Sequence, residues 1–355
     1  MSNSARLQKC KNKYFAASNS YDGFVSYFDK CFSSDEHDKV FIIKGGPGTG
    51  KSSLMKKVAQ MGDKENFEVE EIYCSSDINS LDGVIIRNGE RSIAVLDGTA
   101  PHERDASVPG AVDMIISLYD FFNISGLEDY KNKIRELIKN KNTAYRKAYD
   151  QLNISSVFHR KSRAEKLSFF DYERAEEEAT LLIRAIYTEG ERKRGVRLIS
   201  AFGKDGYVSF DTLDSICKRI YSIKADPVFS EAFIKILETK LFSTDCNFYI
   251  IPSPLDRSIT EAIYLPDNKT AVIVNGKGGS IIDANKFVKS DYDYNDELKE
   301  YDIAANKMLE GAKKYFALSS KYHFELEKIY SSNVNFDAIN DYCENLISYI
   351  KKLLS

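Results

Sequence analysis

The chain has no C-x-x-C pair. Its six cysteines (Cys10, Cys31, Cys74, Cys217, Cys246 and Cys343) are widely scattered, which argues against a zinc site and a disulfide framework and fits a reducing cytosol. No apolar run approaches the roughly 18 residues of a membrane span. Met1 to Lys13 is polar and lacks the apolar core of a signal peptide. Neither sign of charge is in excess, with 50 Lys+Arg against 53 Asp+Glu, so net charge by itself points to neither nucleic acid nor membrane. These absences lead us to expect a soluble cytoplasmic protein without a membrane partner. A length of 355 residues allows two or three domains and a substantial core.

What is present is organised around Val40-Phe41-Ile42-Ile43-Lys44-Gly45-Gly46-Pro47-Gly48-Thr49-Gly50-Lys51-Ser52-Ser53-Leu54-Met55. It reads as a buried strand, a glycine-rich turn and an amphipathic helix. Gly45, Gly50, Lys51 and Ser52 satisfy the G-x-x-x-x-G-K-[ST] phosphate-binding pattern in the strand–loop–helix context it needs. Glycines let several backbone N–H groups point into one cavity, and the helix dipole favours an anion there. Gly45 to Ser53 are thus expected to cradle the phosphates of ATP or GTP. Lys51 would neutralise the β- and γ-phosphates, and Ser52 would ligate Mg²⁺.

Around this stretch, residues 14–19 read as an entry strand or loop. Tyr21, Phe24, Val25, Phe28, Cys31 and Phe32 recur at helical spacing and predict an amphipathic helix over 20–33. Phe67 to Cys74 reads as a second strand. Arg91-Ser92-Ile93-Ala94-Val95-Leu96-Asp97 is a buried strand that delivers a carboxylate at its C-terminal end, where ligands gather in open α/β sheets. Asp97 is therefore expected to serve as the second metal-site acid, acting through a water. Gly98 follows it, so the adjacent glutamate with which many ATP-driven motors activate water is missing. His102, Glu103 and Arg104 lie in the next polar loop as candidate phosphate sensor, base or charge clamp. Asp77 and Asp82 either orient water or a substrate hydroxyl, or merely cap a turn.

From Leu127 the texture changes to long helices. Leu127, Tyr130, Ile134, Leu137, Ala144, Ala148 and Leu152 follow helical spacing with a break at Lys141, and Ala175, Ala179, Leu182, Ile183 and Ile186 form a second arm. The pair predicts a helical hairpin projecting from the α/β unit. Between Lys131 and Lys166 there are eleven Lys/Arg against three acids, either a solvated face or a strip that tracks a nucleic-acid backbone or a protein partner.

The chain then repeats itself. Asp22-Gly23-Phe24-Val25-Ser26-Tyr27 is echoed by Asp205-Gly206-Tyr207-Val208-Ser209-Phe210, and Ile43-Lys44 with Pro47 by Ile223-Lys224 with Pro227. Ser80-Leu81-Asp82-Gly83-Val84-Ile85 aligns with Ser258-Ile259-Thr260-Glu261-Ala262-Ile263, and Ala94-Val95-Leu96-Asp97-Gly98 with Val272-Ile273-Val274-Asn275-Gly276. In the second copy Ala225, Asp226, Val228, Ser230, Glu231 and Ala232 replace the phosphate-binding residues, and Asn275 aligns with Asp97. Like charges ~4 Å apart repel by about 4 kcal/mol at an effective dielectric near 20, so Glu231 is expected to reject a triphosphate. A second helical arm follows, in which Leu298, Tyr301, Ala305, Met308, Ala312, Tyr315, Ser319, Tyr322, Leu326 and Ile329 keep coiled-coil-like spacing. A return helix runs from Phe336 to Leu353.

In Lys44 to Ser52, Cys74-Ser75-Ser76-Asp77, Ser80 to Ile86, Leu96 to His102 and Val108 to Val112, the chain resembles an uncharacterised family of bacterial tandem-repeat P-loop ATPases. The resemblance implies an ATPase or nucleotide-kinase-like activity, with a P-loop in each half; here the second half departs from that pattern. The expected architecture is α/β, a three-layer parallel sheet duplicated internally, each copy followed by a long helical hairpin. The boundaries fall at 1–125 (P-loop domain), 126–195 (hairpin), 196–290 (nucleotide-free pseudo-domain) and 291–355 (hairpin). Hydrolysis is the default reaction, with water oriented by Asp77, Asp82 or His102. A small-molecule or nucleotide kinase and a nucleotide-gated binding module are the alternatives.

Overall fold

The computed structural model describes residues 12–355; Cys10 and nearly all of the polar segment 1–13 lie outside them. The first half contains β1 (Asn12–Phe15), β2 (Ala17–Ser20), β3 (Gly23–Ser26), α1 (Phe28–Cys31), β4 (Lys39–Lys44), α2 (Lys51–Lys64), β5 (Glu68–Tyr73), β6 (Leu81–Asn88), β7 (Arg91–Asp97) and β8 (Asp113–Ser117). Then come α3 (Ile124–Asp129), α4 (Lys131–Leu167) and α5 (Tyr172–Ile186). The second half contains β9 (Arg194–Val196), β10 (Ser200–Gly203), β11 (Gly206–Ser209), α6 (Thr212–Ile216), β12 (Arg219–Lys224), α7 (Pro227–Phe242), β13 (Phe248–Pro252), β14 (Thr260–Leu265), β15 (Thr270–Val274) and β16 (Ser280–Asp283). It closes with α8 (Asp296–Ser331) and α9 (Phe336–Leu354).

Two six-stranded sheets result, ordered β1-β5-β6-β7-β4-β8 and β9-β13-β14-β15-β12-β16. Order and strand senses coincide between them, as a duplicated α/β fold requires. The sheets are mixed, not parallel as expected: β5, β6 and β7 run antiparallel, while β1–β5, β4–β7 and β4–β8 pair in parallel. The reason is connection length. Only Cys74 to Ser80 separates β5 from β6, and Gly89-Glu90 turns β6 into β7, far too short for a parallel crossover.

Residues 20–33 are not a helix. Ser20 pairs with Gly23 in a β2–β3 hairpin, Gly23 takes φ +99°, and α1 is a single turn. The Asp22-Gly23 turn signal overrides the helical spacing of the apolar residues around it. The echo at Asp205-Gly206 makes the corresponding β10–β11 hairpin.

The long helices also depart from expectation. α4 is unbroken through Lys141, whose carbonyl accepts from the Ser319 hydroxyl at 3.3 Å. It does not fold back on α5. Its partner is α8, antiparallel along its length, with Ser155 Oγ on the Ala305 carbonyl (3.0 Å) and Ser162 Oγ on Asp302 (2.7 Å). Leu298, Ala305, Ala312, Ser319 and Leu326, seven residues apart, are buried along this seam. Rather than projecting, the pair packs midway against both hairpins, where Tyr21, Ala148, Leu152, Phe202, Ala312 and Phe316 form one apolar cluster.

The shorter helices are exchanged. α5, from the first half, packs with α7 on the second sheet, and α9, from the second half, packs with α2 on the first. The opposite faces of the two sheets meet each other, Val40, Ile42, Ile85 and Leu96 sharing a core with Ile251, Ala262 and Ala271. Among the described residues no helix is long and apolar enough to cross a membrane.

Candidate functional site

β4 is buried from Val40 to Ile43 and leads straight into the glycine-rich loop 45–50. Gly48 and Gly50 take φ +67° and +88°, values at which a side chain would be strained. Gly50 is the N-cap of α2, and no side chain caps this helix. Its first-turn N–H groups are thus left for an outside acceptor. Lys51 Nζ folds back onto the loop, donating to the carbonyls of Gly45 (3.0 Å) and Gly46 (2.7 Å), and stands 3.6 Å from Asp97 Oδ2. The Thr49 hydroxyl ties the loop internally by donating to the Gly46 carbonyl at 2.8 Å. Ser52 Oγ accepts from the Leu81 N–H at 2.9 Å, while Pro47 is half-buried and Ser53 exposed.

Asp97 ends β7 beside the loop. Its Oδ1 accepts from the Thr99 N–H (2.9 Å) and hydroxyl (2.6 Å), leaving Oδ2 toward Lys51. Behind it lies His102, buried, its ring stacked on Phe28 at 4.2 Å. His102 Nδ1 is 3.0 Å from the Asp97 carbonyl, which can only accept, so Nδ1 carries the hydrogen. Nε2 faces Asp82 Oδ2 at 3.6 Å. Burial pushes the Asp82 carboxyl up to about 6 against the pull of His102, and Asp97 adds to the rise. The structure therefore gathers Lys51, Asp97, His102 and Asp82 into one connected group.

Three other sequence candidates stand apart. Asp77 accepts from the Asn79 N–H at 3.4 Å and lies 3.8 Å from Lys204 of the second half, a turn and cross-half role. Glu103 is exposed. Arg104 turns to Ser34 (3.1 Å) and Asp113 (3.9 Å) at the β8 edge.

Other residues at the loop carry no local sequence signal. A Cβ on Gly48 would lie 2.8 Å from the Glu327 carbonyl, one on Gly46 would lie 2.8 Å from the Tyr330 ring, and Phe336 comes within 3.8 Å of one on Gly50. The end of α8 and the start of α9 thus form a wall of the loop. Lys44 also reaches here, donating to the Gly98 carbonyl at 2.9 Å.

The second half differs beyond its substitutions. Between β12 and α7 only Ala225-Asp226 remain, because α7 starts a turn earlier with Pro227 in its first turn. Asp226 Oδ1 caps it, accepting from the Val228 N–H at 2.9 Å, and Lys166 of α4 lies 3.1 Å from the same carboxylate. Asn275 is not the counterpart of Asp97. Asp97 pairs with Ile43, and Val274 pairs with Ile223. The β14–β15 hairpin as a whole is two residues shorter than the β6–β7 one, Ala262 pairing with Ile273 where Gly83 pairs with Leu96, and that shifts the alignment. An apolar side chain, Val274, therefore stands where the first half has Asp97.

The basic strip is divided as well. Lys131, Arg135, Lys139 and Arg146 are exposed, whereas Lys166 is buried against Asp226 and Asp302. Among the described residues no group of three or more His, Cys, Asp or Glu is placed to hold a metal. Mg²⁺ commonly binds through one or two protein ligands, waters and phosphate oxygens, a pattern that needs no such group. Set against protein-family models, curated proteins and solved structures, the chain matches none of them.

Proposed function

We propose that loop 45–52 binds the triphosphate of ATP or GTP with Mg²⁺, and that the chain hydrolyses it at this one site, the second half remaining free of nucleotide. The observation that carries the reading is the start of α2, which no side chain caps and whose first lysine folds over its own glycine loop between two carbonyls and Asp97. A phosphate would give the N–H groups at the start of α2 an anionic acceptor, and Lys51 would exchange its loop carbonyls for it. Ser52 and Asp97 would hold the metal, which supplies charge neutralisation at the β- and γ-oxygens. Water attacks the γ-phosphorus, the bond to the β–γ bridging oxygen breaks, and the released proton passes to the His102–Asp82 pair.

Phosphate release with ATP and with GTP, with and without Mg²⁺, tests this. Lys51→Ala is expected to abolish nucleotide binding with the fold retained, and an unchanged titration would contradict the reading. A second reading is favoured by the contact of Glu327 and Tyr330 with the loop: turnover is slow, and nucleotide occupancy sets the α4–α8 pair, whose exposed Lys131, Arg135, Lys139 and Arg146 take a nucleic-acid or protein partner. Tight binding with negligible phosphate release would select it.

A further inference from the structure

A cavity of about 350 Å³ opens where α4 and α5 cross α7, on the side of the molecule that has no glycine loop. Its apolar wall is Leu167, Ala232, Ile236 and the ring of Tyr172. Its charged wall is Arg163, Lys235, Lys240 and Glu176, a surplus of positive charge. Lys235 is taken by Glu238 at 2.6 Å, and Lys240 lies 3.9 Å from Glu176. Arg163 is under-used. Its Nε is 3.9 Å from Glu231 Oε2, too far for a hydrogen bond, and its Nη1 is buried without an acceptor. Glu231 Oε2 and, on the neighbouring residue of α7, Ser230 Oγ are likewise buried without a hydrogen-bond partner. Buried polar groups left unmade are rare and call for a physical reason.

We propose that this cavity is a binding site for a small organic oxyanion, a phosphate or carboxylate, whose charged end takes the Arg163 guanidinium and whose body lies against Tyr172, Leu167 and Ile236. A turn of the guanidinium toward the cavity exchanges a long ion pair and an idle N–H for two parallel N–H···O bonds. Glu231 can release its partner, because burial pushes its carboxyl up to about 7 and it can stand as a neutral acid. The site is independent of the nucleotide reading, since it lies wholly on α4, α5 and α7.

Calorimetric titration of phenyl phosphate and of benzoate into the full Lys51→Ala chain tests it with the glycine loop disabled. One site is expected for at least one probe, and the probe that binds tells phosphate from carboxylate. Arg163→Gln should weaken it at least tenfold. Thr239→Trp, which fills the mouth from an exposed position of α7 without touching the core, should abolish it. Absence of heat with both probes, or an Arg163→Gln titration that overlays the parent, would overturn the proposal.

Discussion

Among single residues, Asp82 is the most informative. It was legible only as a polar residue beyond the second strand, alongside Asp77, and nothing in the sequence separated the two. Strand register separates them: Asp82 falls within β6, buried and facing His102, whereas Asp77 stays in the turn before it. Because its folded pKa is raised to about 6 by burial, the stability this carboxyl contributes is full below the ordinary carboxylate range and is lost as pH rises through 6. Asp82→Asn is expected to melt above the parent at pH 8 and to lose that advantage at pH 4, a comparison that thermal unfolding provides. If the pair also accepts the proton of the attacking water, phosphate release should rise through pH 6 in the parent, and the Asn variant should lack that limb. The loop itself was readable because its pattern is local, the eight consecutive residues Gly45 to Ser52, with glycines where the backbone takes positive φ. Glu327 and Tyr330 were not, being brought to it by packing across nearly the whole chain.

Among elements, the starts of α2 and α7 set the two halves apart. One is open and held by glycines in the left-handed region; the other is closed by Asp226. Asp226→Ala removes the cap and one partner of Lys166, and is expected to cost about 1–2 kcal/mol in denaturant unfolding while leaving nucleotide affinity unchanged. The helical arms were readable as helices from their periodicity, and the buried heptad positions of α8 follow it closely. Their partners were not readable, because an apolar stripe states that a helix must be covered without stating by which neighbour. The misread helix over 20–33 has the same origin, since six apolar residues satisfied two periods and only Asp22-Gly23 decided between them.

For the whole molecule, the two sheets are locked face to face by a buried charge cluster as well as by apolar contact. Arg197, from the second half, lies 3.5 Å from Glu70 Oε2, and Arg87 lies 2.7 Å from Oε1. Burial alone would push the Glu70 carboxyl up, but Arg197 and Arg87 outweigh it and hold it below the usual range. Its contribution is therefore present at neutral pH and lost as pH falls through that lowered value. Arg197→Met strands part of this charge, and is expected to cost ~3–5 kcal/mol by chemical denaturation, a loss that falls on both halves together. The duplication was legible in the order of its echoes; the mixed strand senses were hidden in the lengths of two short turns.

The exchange of α5 and α9 sets an order on synthesis. A nascent chain that has made every residue of the first sheet still leaves one flank of it bare, because the 19 residues of α9 that cover it are made only after the whole second sheet and α8. The half that carries the glycine loop, although it comes first, is the one that must wait for a helix made after the second sheet.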